Sequence, residues 1–222
     1  MPPLYRRRSV AAVACALSIT FWIGGGLVVS GALAIVVRLR EPEMQWCHFV
    51  AQVLLAGGVL GLLTWRLGCG PVVLAPAGFV TGGVAAAVVD FRTGRLPNWL
   101  VLTTHLMTAV GVLSATLITS ADELLLGAVA GAAAFLLVYL GLYLGVPGQL
   151  GGGDVKLAAA AGAVLGWHSW SAVFAGLLVI WLANALAFAV LRVSKFGVRH
   201  NLPSLPHGPS LVLGTVAVLL AG

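Results

Sequence analysis

Six acidic residues are spread over 222 positions, and two of them stand where a carboxylate is costly. Asp154 follows Gly151, Gly152 and Gly153 and opens the apolar run that starts at Val155; Asp90 closes the run that ends Val88-Val89. A charged side chain at the edge of hydrocarbon marks a functional site by default. Two carboxylates a few ångströms apart do not both ionise easily, so they share a proton and divide into an acid and a base. The ionised member activates a water and the protonated member polarises a carbonyl, which is the chemistry of aspartyl amide-bond hydrolysis. Each aspartate taken alone also has a plain reading. Asp90 can pair with Arg92 in an interfacial loop, and Asp154 can cap the helix beginning at Val155. Helix dipoles predict that Asp154, at a helix N-terminus, ionises more readily than Asp90, at a C-terminus. Arg92 and Lys156 can override that order.

The elements that must position these acids are apolar. The chain is 60% hydrophobic and 8% charged, against about 25% charged residues in soluble domains. Apolar runs at about 10–37, 49–65, 71–89, 99–118, 122–146, 155–166, 170–191 and 209 to the end give eight candidate spans. Continuous runs disfavour a β-barrel. The expected fold is an all-α polytopic membrane protein of about eight transmembrane helices, forming one integral-membrane domain over 1–222. The first run follows Arg6-Arg7-Arg8 as a signal peptide would, but exceeds the 7–15 residues of such an apolar region. Gly24-Gly25-Gly26 within it predicts a kink or a close helix contact. Pro97 and Asn98 fit the start of a helix, Pro in the first turn and Asn as a cap. The run from Val155 to Trp167 rises only about 20 Å against a hydrocarbon core of about 30 Å. If Trp167 reaches the far interface, Asp154 lies roughly 10 Å inside the membrane by the same arithmetic. Glycine-rich backbone at that depth is tolerated where it is buried in protein or lines a wet cavity.

The net charge of +6 is spread singly or in pairs between apolar runs, which argues for topology signals and against nucleic-acid binding. With eight spans, Arg38, Arg40, Arg92, Arg95, Lys156, Arg192, Lys195 and Arg199 share one side, and Arg6, Arg7, Arg8 and Arg66 the other. The majority places the Asp90 and Asp154 loops in the cytoplasm, although the N-terminal arginines run against it. Cys15, Cys47 and Cys69 lack paired spacing and read as structural, Cys15 as a small core residue. His48, His105, His168 and His200 show no ligand spacing, so no metal or other cofactor is expected. Trp99, Trp167 and Trp170 read as interfacial anchors, and Asn184 as a hydrogen bond between helices.

Gly151-Gly152-Gly153-Asp154-Val155-Lys156-Leu157 resembles the GxGDxKL motif of the prepilin peptidases, or type IV leader peptidases. Asp90 with Leu96-Pro97-Asn98 resembles that family's first aspartate and the LPN segment after it. Leu205-Pro206-His207-Gly208-Pro209-Ser210-Leu211-Val212-Leu213-Gly214 resembles its C-terminal stretch, with His207 where the family usually has Phe. The three motifs stand in the family's order over about 75–214. The resemblance implies that Asp90 and Asp154 are the catalytic pair, supported by Gly151, Gly153, Lys156, Pro97 and Asn98. It implies cleavage at the cytoplasmic face of the inner membrane, removing a short basic leader from membrane-anchored prepilin-like, pseudopilin or preflagellin precursors. Larger members carry a cytoplasmic domain between the first two spans that goes with N-methylation. The loop at about 38–48 has no room for it, so peptidase activity without methyltransferase activity is expected. His207 is expected to be a packing or loop residue more than a titratable neighbour of the site.

The competing class is a proton-coupled transporter or channel, which also uses acids in broken, glycine-rich helices. The Asp90 and Asp154 neighbourhoods do not match in length or pattern as inverted repeats do. The sequence sets neither the particular precursor nor the oligomeric state.

Overall fold

Leu, Val and Ala runs broken by Gly, Pro and charged residues fold into eight helices in the computed structural model, which describes residues 3–68, 70–146, 148, 150–193 and 206–222. Side chains are described for 13, 15–68, 70–146, 148, 150–190 and 206–222. Arg6, Arg7, Arg8 and Arg192 therefore enter by backbone only, and Cys69, Lys195, Arg199, His200 and Leu205 lie outside the described residues. The helices are α1 (Pro3–Arg40), α2 (Trp46–Leu67), α3 (Leu74–Thr93), α4 (Asn98–Thr119), α5 (Asp122–Gly145), α6 (Gly152–His168), α7 (Trp170–Val193) and α8 (Gly208–Ala221). A 3₁₀ turn at Pro71–Val73 precedes α3.

The punctuation is local chemistry. Gly94 adopts a left-handed conformation (φ 63°) and donates its N–H to the Asp90 carbonyl, ending α3. Pro97, extended at φ −62° and ψ 132°, stands as the N-cap of α4, and its missing N–H and its ring bar α3 from running on through it. Asp122 and Glu123 occupy the first turn of α5, where the helix dipole favours negative charge. The eight expected runs thus all appear as helices. Among the described residues, six helices are long and apolar enough to cross a membrane.

The short α6 is explained by its surroundings. The 17 residues of α6 rise about 25 Å, less than a bilayer's hydrocarbon. But α6 is walled by α3, α4, α5, α7 and α8, and protein, not lipid, surrounds most of it. Its closest neighbour is α5. A Cβ on Gly162 would run into the Gly131 carbonyl oxygen, and one on Gly131 or Gly166 would likewise strike the opposite backbone. Glycines four apart on both helices let the two backbones touch. The first glycine cluster works similarly: a Cβ at Gly26 would come within 2.5 Å of Leu60 in α2, and α1 runs through it without interruption.

Several expectations need correction. Trp167 is not an interfacial anchor: it is 3% exposed and donates Nε1–H to Thr116 Oγ1 at 3.1 Å, pinning α6 to α4. A buried indole N–H needs such a partner. Trp99, whose expected interfacial place is not contradicted, lies under the Arg40 guanidinium at 5.0 Å, tying the end of α1 to the start of α4. Cys15 is not simply a small core residue but is disulfide-bonded, while Cys47 is free and exposed. Asn184 does bond between helices, accepting from Ser210 Oγ of α8 at 3.4 Å.

Candidate active site

The end of the bundle where α3 finishes and α4, α6 and α8 begin collects the polar groups. Asp90 lies in the last turn of α3, and its side chain turns inward to 4% exposure. Its Oδ2 accepts the Gly208 N–H at 2.9 Å. Gly208 is the first residue of α8, whose opening N–H groups have no partner inside the helix. Arg92 is exposed on the outer face, so the surface pair Asp90–Arg92 is not what the fold makes.

Asp154 is buried to 8% exposure. It does not cap a helix starting at Val155. The helix begins at Gly152 with Gly151 as N-cap, and Asp154, third in the first turn, reaches back to accept the Gly151 N–H at 3.0 Å. This is the carboxylate half of a capping box. Its other oxygen, Oδ1, is buried and accepts no hydrogen bond among the described residues. The two aspartates are near enough for the charge of Asp90 to act on Asp154. Both carboxylates therefore meet a helix N-terminus: Asp154 that of its own helix, Asp90 that of α8. The helix dipoles therefore do not set the two aspartates apart as expected, because the dipole beside Asp90 includes that of α8 and not only that of its own helix.

The motif segments interlock around this pair. Gly153 has nothing unusual in its φ, but a Cβ there would sit 2.6 Å from the Leu96 Cβ. Its bareness lets the segment before α4 lie against the start of α6. Asn98 makes no side-chain cap on α4; instead its Oδ1 accepts from Lys156 Nζ at 2.9 Å, across the exposed rim. A Cβ on Gly151 would meet Asp154 Oδ2 at 3.0 Å, whereas one on Gly152 would meet nothing within 4 Å.

Two residues beneath the pair were not both foreseen. His207, the N-cap of α8, is 3% exposed and lies directly beside the site. Its Nε2 lies 2.9 Å from the hydroxyl of Tyr139 in α5. Trp181 packs against both rings, at 5.1 Å from His207 and 5.8 Å from Tyr139, and Phe135 stacks on Tyr139 at 6.2 Å. The Tyr139 hydroxyl is within electrostatic reach of Asp154. Sequence reading passed over Tyr139 because it stands in a long apolar run without a motif. Its signal was its hydroxyl, which needs a partner when buried.

With this geometry in place, comparison with known proteins assigns the class. The chain belongs to the type IV leader peptidase family, a family of peptidases, whose match covers residues 77–193 and so takes in both aspartates. It is 29% identical over 191 residues to a prepilin leader peptidase/N-methyltransferase of Escherichia coli (strain K12), covering 82% of this chain and 78% of the relative. It is 33% identical over 198 residues to the protein of the same description in Burkholderia pseudomallei (strain 1026b). That match covers 84% of this chain but only 56% of the relative, so the chain spans little more than half of the longer protein. No solved structure matches.

Proposed function

We propose that this protein is an aspartyl endopeptidase of the membrane, and that it removes the short basic leader from type IV pilin-like precursors at the cytoplasmic face. The observation that carries the reading is the pair of buried aspartates, Asp90 and Asp154, approaching each other from the facing ends of α3 and α6. The match to the leader peptidase family supports the same chemistry. One carboxylate is ionised and takes a proton from water as the water's oxygen attacks the scissile carbonyl carbon. The other, protonated, gives its proton to the carbonyl oxygen. Collapse of the tetrahedral intermediate breaks the C–N bond, and a proton passes from the dyad to the leaving amine. The Gly208 N–H and the Gly151 N–H orient the two carboxylates, Lys156 and Asn98 tie the rim, Leu96 and Gly153 hold the two segments together, and Pro97 starts α4. No step calls for a metal or other cofactor.

The inner-membrane, cytoplasm-facing placement has two supports. Arg38, Arg40, Arg92, Arg95 and Lys156 lie at the site end, while Arg66 bonds the Leu220 carbonyl at the other end. Cys15 is disulfide-bonded and lies 25 residues of helix before Arg40, about 37 Å along α1. Disulfides persist in oxidising compartments, which fits that end lying outside the cytoplasm. We also propose that the helices act as one peptidase domain without N-methylation, since only residues 41–45 connect α1 to α2.

The test is co-expression of a candidate prepilin with wild type, Asp90→Asn and Asp154→Asn, read as a mobility shift. Asparagine keeps shape but cannot exchange a proton. Wild type is expected to cleave, and both variants to insert stably without cleaving. Near-normal processing by either variant removes that residue from catalysis and overturns the aspartyl reading.

A further inference from the structure

The aspartyl reading uses Asp90 and Asp154 but leaves unexplained why an imidazole and a phenol are buried together directly beneath them. Hydrophobic packing alone does not account for the couple, since burying polar groups is costly unless they are hydrogen-bonded. With His207 Nδ1 buried and without a partner among the described residues, the bond to Tyr139 is the one the imidazole makes there. Tyr139 is fully buried and His207 nearly so, and they meet at 2.9 Å. Whichever way the proton lies, one donates and the other accepts.

Position in the chain tells what this bond holds. His207 is followed directly by Gly208, whose N–H is the protein donor on Asp90 Oδ2 at 2.9 Å. The carbonyl of His207 accepts from the Leu211 N–H at 3.0 Å, within the first turn of α8. The peptide unit joining His207 to Gly208 is therefore fixed at two points, the α8 turn on one side and Asp90 on the other. Its remaining freedom is rotation about the backbone of His207, and the side chain of that residue is anchored by Tyr139 and wedged against Trp181. Tyr139 itself stands on α5, the helix that touches α6 backbone to backbone and so shares the frame of Asp154.

We propose that Tyr139 and His207 form a positioning latch: the hydroxyl–imidazole bond holds the peptide N–H of Gly208 on Asp90, and registers Asp90 against Asp154 across α8 and α5. Neither residue touches substrate in this proposal; both act through Asp90. The latch rests on the aspartyl reading above and goes beyond it by assigning the two residues that set the dyad's geometry.

The experiment is leader cleavage by purified full-length protein in detergent micelles, with KM and kcat measured separately. The variants are Tyr139→Phe, His207→Phe, their double, and His207→Gln, with Asp90→Asn and Asp154→Asn as controls. Tyr139→Phe removes one oxygen from an otherwise unchanged ring. His207→Phe keeps the aromatic packing, and His207→Gln restores a polar group at the reach of Nε2. Both single phenylalanine variants are expected to lower kcat roughly tenfold, the scale of one oriented hydrogen bond, with KM within about twofold. The double variant is expected to be no worse than either single, because one bond is lost in all three. His207→Gln is expected to recover most of kcat.

Wild-type kcat in Tyr139→Phe, with both asparagine controls dead, overturns the latch and leaves the dyad standing. So does a double variant whose losses multiply to about a hundredfold, which marks two independent packing effects. A His207→Gln variant no better than His207→Phe also overturns it. Cleavage by Asp90→Asn overturns the aspartyl reading instead, and takes the latch with it.

Discussion

Replacing Gly208 by alanine adds one methyl group at the point where α8 meets the first aspartate. The Cβ would stand 2.9 Å from Asp90 Oδ2, 3.2 Å from its Cβ and 3.3 Å from its Cγ, where ordinary contact begins at 3.4 Å. Relief requires Asp90 and the start of α8 to part by the difference, 3.4 − 2.9 = 0.5 Å. Asp90 is buried, at 4% exposure, and cannot retreat freely, so the displacement falls on the Gly208 N–H···Oδ2 bond. That bond lengthens from 2.9 Å toward about 3.4 Å, beyond the usual range for such a bond. A misplacement of about 1 Å in a catalytic group can cost about a hundredfold in rate, so half of it predicts a loss of about tenfold in kcat with KM little changed. The backbone of Gly208 is not in the left-handed region, so alanine brings no conformational strain that would confuse the result. Gly152→Ala is the matched control. A Cβ there meets nothing within 4 Å, so kcat should stay within about twofold. Steady-state cleavage of a prepilin peptide by the three proteins in detergent decides the matter. A Gly208→Ala enzyme with wild-type kcat refutes the claim that this contact sets the geometry of Asp90.

Other consequences follow from the packing. Gly162→Ala drives a methyl into the Gly131 carbonyl and should destabilise the bundle by about 1–3 kcal/mol, as overpacking does; a thermal melt in detergent should show it, and an unchanged midpoint would deny the close α5–α6 approach. Trp167→Phe and Thr116→Val each remove the 3.1 Å bond between α6 and α4 and should each cost about 0.5–1.5 kcal/mol. Combined in one protein they should cost no more than the larger single loss plus its packing change, and strict additivity would count against the bond. Lys156→Met breaks the exposed bond to Asn98, where such pairs are worth about 0–1 kcal/mol. A loss of kcat beyond about fivefold would give Lys156 a larger part than tying the rim.

Much of this protein was legible in its chain order. The lengths of the apolar runs, with the start at Pro97-Asn98 and the glycines at 151–153, placed all eight helices to within a few residues, because helix start and stop depend on neighbours within a turn. Asp90 and Asp154 were legible as well, since a carboxylate beside hydrocarbon is anomalous in any fold. Even the membership in a peptidase family was readable from three short motifs in order. The tertiary structure decided what lies across helices. Asp90 closes one helix by its backbone yet belongs by its side chain to the N-terminus of α8, 118 residues on, so the dipole acting on it could not be read from its own segment. Asn98 stood where a cap was expected but bonds Lys156, and Trp167 stood where an interface was expected but is enclosed by protein. Tyr139 met His207 across 68 residues. Local rules fix where a helix begins and which residues it contains; which face turns inward, and what it meets there, is set by the close approach of whole helices, and above all by glycines whose missing side chains let α5, α6 and α8 come near enough to assemble the pair.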